Sequence, residues 1–181
     1  MYLMQIIVLK GSPNKHGSSN LLAEHFSQGA KEAGHKVEVI DAAHANLHSC
    51  TGCIHCGYEG PCIQKDDMEQ FRKQILEADM MVFVTPLYYY GMPAQLIILI
   101  GRYGAINSRI QRKHMKSALL AVAWNADSWT FEALESHYKT LVHYLNLKDQ
   151  GMILGYGCGT ISMTKQSKYP KEAYQLGKNL S

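Results

Sequence analysis

Short apolar runs alternate along this chain with longer segments in which apolar residues recur at helical spacing. In most of these runs apolar residues do not alternate with polar ones, which is typical of strands buried on both faces of a parallel sheet. Strands are predicted over residues 6–10, 36–41, 78–85, 117–123 and 150–156, and helices from about residue 20, over about 67–77, 94–105 and 131–145, and from Pro170. This strict alternation predicts a three-layer α/β/α fold with a doubly wound, five-stranded parallel sheet in the order 2-1-3-4-5.

Composition and charge exclude several function classes. The 181 residues are 46% hydrophobic and 18% charged, as expected of one globular domain over residues 1–181. No apolar run approaches the ~20 residues that span a bilayer, and no basic n-region opens the chain, so we expect a cytoplasmic protein that is neither membrane-bound nor secreted. The net charge is +3, and a short basic cluster lies within residues 109–116. We interpret that cluster as a solvated loop rather than a nucleic-acid site, because no aromatic stripe accompanies it.

The loop after the first predicted strand, residues 11–20, has the composition of an anion site. It leads into a helix N-terminus, where unpaired N–H groups and the helix dipole favour negative charge. Gly17 is followed by two serines, so the nucleoside-triphosphate pattern is missing, as is the G-x-G-x-x-G dinucleotide pattern. Neutral donors remain for one terminal phosphate of a mononucleotide, supplied by Ser12, Asn14, Ser18, Ser19 and Asn20. The alternative is an ordinary serine-capped turn.

The loop after the third predicted strand, residues 86–93, is aromatic. In the predicted strand order the carboxyl ends of strands 1 and 3 meet at the switch point, so the two loops should line one crevice. Three consecutive tyrosines cannot all face inward, and a flat conjugated ligand such as flavin mononucleotide (FMN) fits beside them. The backbone N–H groups of Tyr89, Tyr90 and Gly91 are candidate donors to the flavin ring. The remaining candidate cofactor contacts are Pro86, Leu87, Tyr88 and Trp124, and no catalytic side chain is required.

Three segments together resemble the flavodoxin-like NAD(P)H-dependent FMN reductase family. They read GSPNKHGSSNLL, CTGCIHCGYEGPCIQKDDM and TPLYYYGMPAQL, in that order. The resemblance implies a flavodoxin fold with bound FMN, hydride transfer from NAD(P)H, and a flavin, quinone or other small electron acceptor. It also implies a homodimer or homotetramer whose flavin pocket is completed by the neighbouring subunit. The chain departs from the family pattern at Asn14, Ile97 and Gly101, where Arg, Lys and Asp are usual, while Arg102 is kept.

Four cysteines lie in a long aperiodic segment, residues 42–65, and have the compact spacing C-x2-C-x2-C-x5-C. They are Cys50, Cys53, Cys56 and Cys62. Their spacing resembles the segment that holds a [4Fe–4S] cluster in iron–sulfur flavoproteins, a branch of the same family, and four thiolates are the ligands that such a cluster needs. Three alternatives stay open: the cluster, a zinc site, and reduced thiols or a redox pair. We give the thiols more weight than the cluster, because similar spacing also occurs in members that bind FMN alone.

Two further interpretations follow from the residues. Asp66 and Asp67 stand at a predicted helix start, so we expect N-caps there rather than an acid–base pair. Cys158 is isolated, and we expect an inert buried thiol.

A non-enzymatic electron carrier of the flavodoxin type, exchanging electrons with protein partners, is the alternative function. The net charge of +3 argues against it, because such carriers generally dock through a strongly acidic face.

Overall fold

The computed structural model describes residues 3–180, and its centre is a sheet of five parallel strands in the order β2-β1-β3-β4-β5. The strands are β1 (Gln5–Lys10), β2 (Lys36–Asp41), β3 (Met80–Pro86), β4 (Lys116–Val122) and β5 (Lys148–Gly155). The predicted fold class and strand order are confirmed. All carboxyl ends of the strands therefore lie at one edge of the sheet, with β1 and β3 adjacent at the switch point.

Seven α-helices and a 3-10 helix accompany the sheet in the described part of the chain. They are α1 (Ser18–Glu32), α2 (Met68–Glu77), α3 (Ala94–Gly101), the 3-10 helix (Arg102–Ile106), α4 (Asn107–Lys113), α5 (Glu132–Tyr144), α6 (Ile161–Gln166) and α7 (Tyr169–Lys178). No helix within residues 3–180 combines the length and the apolar character that a membrane crossing needs.

The sheet separates two hydrophobic cores. Met81 and Phe83 of β3 pack into a core shared with α2, α3, α4 and α5. Val82 and Val84 of the same strand face the opposite way, into a core shared with α1 and α7. Side chains that alternate across a strand between two apolar layers explain why this strand reads as a continuous apolar run.

The structure corrects the sequence prediction in three places. The basic cluster expected in a loop is mostly helical, since Arg109, Arg112 and Lys113 belong to α4, which the buried Ile110 anchors in the core. The single helix expected over residues 94–105 ends at Gly101 and continues as the 3-10 helix, in which Arg102 is buried. Glycine lowers helix preference and 3-10 turns are frequent at helix ends, so Gly101 and Gly104 account for the break. The polar loop expected over residues 157–169 contains α6, whose N-cap Thr160 accepts a hydrogen bond from the Met163 N–H.

Candidate functional site

A cleft of about 270 Å³ lies at the carboxyl edge of the sheet. It brings together most of the residues that the sequence predicted for a cofactor: Ser12, Asn14, Ser18, Ser19, Pro86, Leu87, Tyr88 and Trp124. Four predicted residues do not line it: Asn20, Tyr89, Tyr90 and Gly91. The first two predicted loops and the loop after β4 therefore do meet at one place.

The N-terminus of α1 forms one end of the cleft and has the features of an anion site. Its N-cap is Gly17, no side chain caps it, and its first turn carries no acidic residue. The Ser19 Oγ is buried and has no hydrogen-bond partner. A buried hydroxyl without a partner is costly, so this atom is a candidate hydrogen-bond donor to a bound anion. Among residues 3–180 no lysine or arginine lines the cleft, so the donors there are neutral.

Side chains of the same loop hold its backbone in place. Asn20, predicted as a direct donor, instead donates from Nδ2 to the Asn14 carbonyl oxygen at 2.8 Å and to the Lys15 carbonyl oxygen at 3.2 Å. The Gly17 N–H also donates to the Asn14 oxygen, at 3.0 Å. Ser12 Oγ accepts from the Asn14 N–H at 3.2 Å. The loop is thereby preorganised before any anion arrives, which lowers the cost of binding.

The aromatic loop contains a tight turn that the sequence did not predict. Tyr88 and Gly91 pair across it, with the Tyr88 N–H donating to the Gly91 oxygen at 3.0 Å and the Gly91 N–H donating to the Tyr88 oxygen at 3.1 Å. In this structure the Gly91 N–H is used within the turn, and its expected role as a donor to a flavin stays a prediction. Tyr89 is fully exposed, and the Tyr90 ring lies 5.1 Å from the ring of Trp129.

The far side of the cleft includes residues that sequence reasoning missed. Val122 ends β4, Ala123 follows it, and Cys158 and Gly159 follow β5. All four line the cleft with Trp124. Gly159 leaves no room for a Cβ, because the Trp124 ring lies directly against it. Their position in the sequence, at the carboxyl ends of β4 and β5, could have identified them. These ends lie at the same edge of the sheet as those of β1 and β3. Cys158 is buried, as predicted.

The four clustered cysteines line a second cavity, of about 70 Å³. All four are free thiols; Cys50 and Cys53 are exposed, and Cys56 and Cys62 are partly buried. The His55 N–H, followed by the Thr51 side chain, lowers the pKa of the Cys53 thiol. Left-handed residues recur in this segment at Gly52, Ile54, Gly57 and Tyr58. Turns of this kind present backbone N–H groups to anions, including iron–sulfur sites.

The donor chemistry of this cavity is that of four thiolates. Four cysteine thiolates are the ligands that a [4Fe–4S] cluster requires, and they also serve structural zinc sites. Within residues 3–180 no three His, Cys, Asp or Glu side chains are already arranged to hold a metal ion. The donor set therefore fits a four-thiolate metal group in its chemistry.

A buried ion pair lies beside the cysteine cavity. Arg102 Nη1 donates to Asp66 Oδ2 at 2.5 Å, and both side chains are almost wholly buried. Burial raises the pKa of Asp66, but the Arg102 hydrogen bond and the N–H groups of His48 and Met68 outweigh it and lower the pKa to about 2. The expectation that both aspartates cap α2 needs correction. The N-cap Asp67 makes no capping bond, whereas Asp66 Oδ1 accepts from the Met68 N–H and Asp66 Oδ2 binds Arg102.

A family model described as NADPH-dependent FMN reductase matches residues 4–154 of this chain. The chain belongs to this family. The match covers β1 through most of β5, which includes the cysteine cavity and all of the cleft lining except Cys158 and Gly159.

Curated relatives of this FMN reductase family member include iron–sulfur flavoproteins of archaea. One from Methanocaldococcus jannaschii is 32% identical over 119 residues, which are 66% of this chain and 62% of the relative. One from Archaeoglobus fulgidus is 29% identical over 99 residues, which are 55% of this chain and 45% of the relative. The chain thus matches about half the length of these relatives.

Solved structures share the fold of this family member. An NAD(P)H:quinone oxidoreductase from Methanothermobacter marburgensis superposes with a TM-score of 0.81 at 21% identity, covering 99% of this chain and 97% of that one. An FMN-dependent NADH-azoreductase from Bacillus anthracis, solved in complex with FMN, gives a TM-score of 0.68 at 13% identity and covers 96% and 99% of the two chains. At these identities the likeness establishes the flavodoxin-like fold.

Proposed function

We propose that this chain is a single FMN-binding domain that oxidises NAD(P)H and reduces a small acceptor, either a flavin, a quinone or a similar molecule. FMN, when bound, supplies the hydride and electron chemistry. The observation that carries the proposal is the buried, unpartnered Ser19 Oγ at the uncapped N-terminus of α1, within a cleft that also holds Tyr88 and Trp124.

The chain's own residues bind and orient the cofactor in this proposal. Ser12, Ser18, Ser19 and the amides of the first turn of α1 would hold the phosphate, with the helix dipole in place of a cationic side chain. Tyr88 and Trp124 would contact the ring. Among residues 3–180, Tyr88 and Cys158 are the only titratable side chains that line the cleft, and Cys158 is buried. We therefore assign no catalytic acid or base to this chain.

We further propose a cytoplasmic homodimer or homotetramer in which a second subunit completes the cleft. At about 270 Å³ the cleft is slightly smaller than typical ligand sites of roughly 300–1,000 Å³. Large exposed aromatic side chains surround it, among them Tyr89, Trp124 and Trp129. Exposed apolar surface beside a site is typical of an interaction surface. Free thiols at Cys50 and Cys53 favour a reducing compartment.

The phosphate site is tested with Ser19→Ala and a matched control, Ser27→Ala, which lies on the same helix and outside the cleft. Loss of one hydrogen bond to a charged group should weaken FMN binding about 10- to 100-fold. Titration of FMN fluorescence gives the dissociation constants, and steady-state oxidation of NADH and NADPH with a quinone tests turnover. Failure of the wild type to bind FMN, or equal affinity in S19A and S27A, would overturn the proposal.

A second candidate function is that of an iron–sulfur flavoprotein, in which electrons are also exchanged with protein partners. The observation that favours it is the cavity lined by Cys50, Cys53, Cys56 and Cys62. A [4Fe–4S] cluster, when bound, supplies one-electron chemistry. The test is the iron and sulfide content of protein purified without oxygen, with the corresponding absorption spectrum. Four irons per chain support the candidate, and iron-free protein after anaerobic reconstitution would exclude it.

A further inference from the structure

Arg102 is a buried cation that the flavin cleft does not use. It is 2% exposed. Its Nη1 atom donates to the His48 carbonyl oxygen at 2.8 Å and to Asp66 Oδ2, with Gln64 Oε1 at 3.5 Å. Its Nη2 atom is buried and has no hydrogen-bond partner. Leaving a charged donor buried without an acceptor is costly, so the atom indicates an absent acceptor.

The position of Arg102 identifies where that acceptor belongs. Arg102 lines the cavity that all four clustered cysteines line. Arg102 and Cys62 also share the wall of a small adjoining cavity of about 20 Å³. An arginine side chain is not deprotonated in proteins, so a guanidinium charge stands beside this thiol. The shared cavity wall makes the cysteine sulfurs the candidate acceptors for Nη2.

We propose that Arg102 is a positioning residue for a four-thiolate iron–sulfur cluster, donating from Nη2 to one of its sulfurs and making the cluster easier to reduce. This inference rests on the second proposed function. Reduction adds one electron to a group that is already negative, so a fixed cation and a hydrogen bond to sulfur stabilise the reduced state more than the oxidised state. No bond is made or broken in that step.

Asp66 keeps the guanidinium in place for this role. Its carboxylate binds only the Nη1 side of Arg102 and is also held by the N–H groups of His48 and Met68. These contacts orient the arginine and leave Nη2 free. The exposed pair of Arg112 Nη1 and Glu59 Oε1, at 2.8 Å, anchors the same cysteine segment from solvent and makes a matched control.

The experiment compares wild type, Arg102→Gln, Arg102→Lys and Arg112→Gln, each reconstituted anaerobically. Iron and sulfide content and the reduction potential, from a redox titration followed by electron paramagnetic resonance, are measured. In R102Q we expect the one-electron equilibrium to shift at least tenfold toward the oxidised cluster, about 59 mV to lower potential. R102K, which keeps the charge, should lie between R102Q and wild type, and R112Q should match wild type.

The outcomes separate this inference from the cluster proposal. An iron-free wild type would overturn the cluster proposal and this inference with it. A loaded wild type with an unshifted potential in loaded R102Q would overturn this inference alone. If R102Q holds no iron, R102K decides: retained iron supports the role of the cation, whereas loss of iron in both variants would show only a packing role and count against the proposal.

Discussion

The tight turn from Tyr88 to Gly91 places two tyrosines in a backbone conformation that L-amino acids avoid. Tyr89 has φ 46° and Tyr90 has φ 63°. Two-residue hairpin turns with both central residues in this region usually carry Asn and Gly. Tyr90 gains a ring contact with Trp129, whereas the Tyr89 side chain is fully exposed. The strain at Tyr89 is therefore not offset by burial of its own ring.

Replacing Tyr89 isolates this strain, because Tyr89→Gly and Tyr89→Ala both remove the ring but only glycine adopts a positive φ freely. Relief of left-handed strain is worth roughly 1–2 kcal/mol, and the added freedom of glycine in the unfolded chain costs roughly 0.5–1 kcal/mol. We expect Y89G to be more stable than Y89A by about 1 kcal/mol. That difference is roughly 2–4 °C in Tm for a chain of this size.

Thermal unfolding of the FMN-free variants, followed by circular dichroism, measures the difference. Equal Tm values for Y89G and Y89A would refute the reasoning, because they would mean that the backbone at Tyr89 is not strained. A higher Tm for Y89G would mean that the native turn holds strain that folding does not require. Strain of this kind is concentrated at functional sites, and this turn borders the cleft.

Two further predictions concern stability. The pKa of Asp66 is about 2, below the ordinary value of 3.8. The ionised carboxylate therefore stabilises the folded state by about 2 kcal/mol. This contribution is complete above pH 4 and is lost as the pH falls through 2. The gap in unfolding free energy between wild type and Asp66→Asn, from urea titrations at pH 7 and pH 2, should narrow by that amount. Gly177→Ala should lower the free energy of unfolding by about 1–3 kcal/mol in such titrations, because the new Cβ would meet the Phe26 backbone. Gly101→Ala, where a Cβ would enter open space, should leave the stability unchanged or raise it.

The fold was predictable because its signals are local. The central strands are short apolar runs such as residues 80–86, and the edge strand 36–41 alternates apolar and polar residues. A helical pattern follows each strand, so the alternation of strand and helix alone restricts the topology. The serine-rich end of the cleft was predictable for the same reason. Ser12, Ser18 and Ser19 all belong to one continuous strand–loop–helix segment, and the geometry of such a segment depends little on the rest of the chain.

The turn at Tyr88–Gly91 could not be predicted in this way. Its sequence has glycine at the last position and tyrosine at both central positions, which is the reverse of the usual hairpin preference. The conformation is therefore imposed from outside the turn. The Leu87 N–H donates to the Val122 oxygen at 2.8 Å, and Tyr90 packs on Trp129, so contacts from β4 and the following loop fix a shape that the local residues disfavour.

Arg102 shows the limit of local reasoning most clearly. In the sequence it follows an apolar helix, and its partner Asp66 stands 36 residues earlier at a helix start, where an N-cap is the simplest interpretation. Only the packing of the 3-10 helix against the cysteine segment buries the two side chains together. The same packing leaves the Arg102 Nη2 atom buried without a hydrogen-bond partner. Under the proposal made above, a cluster in the cysteine cavity would supply the acceptor for that atom, since a buried charged donor is costly without one.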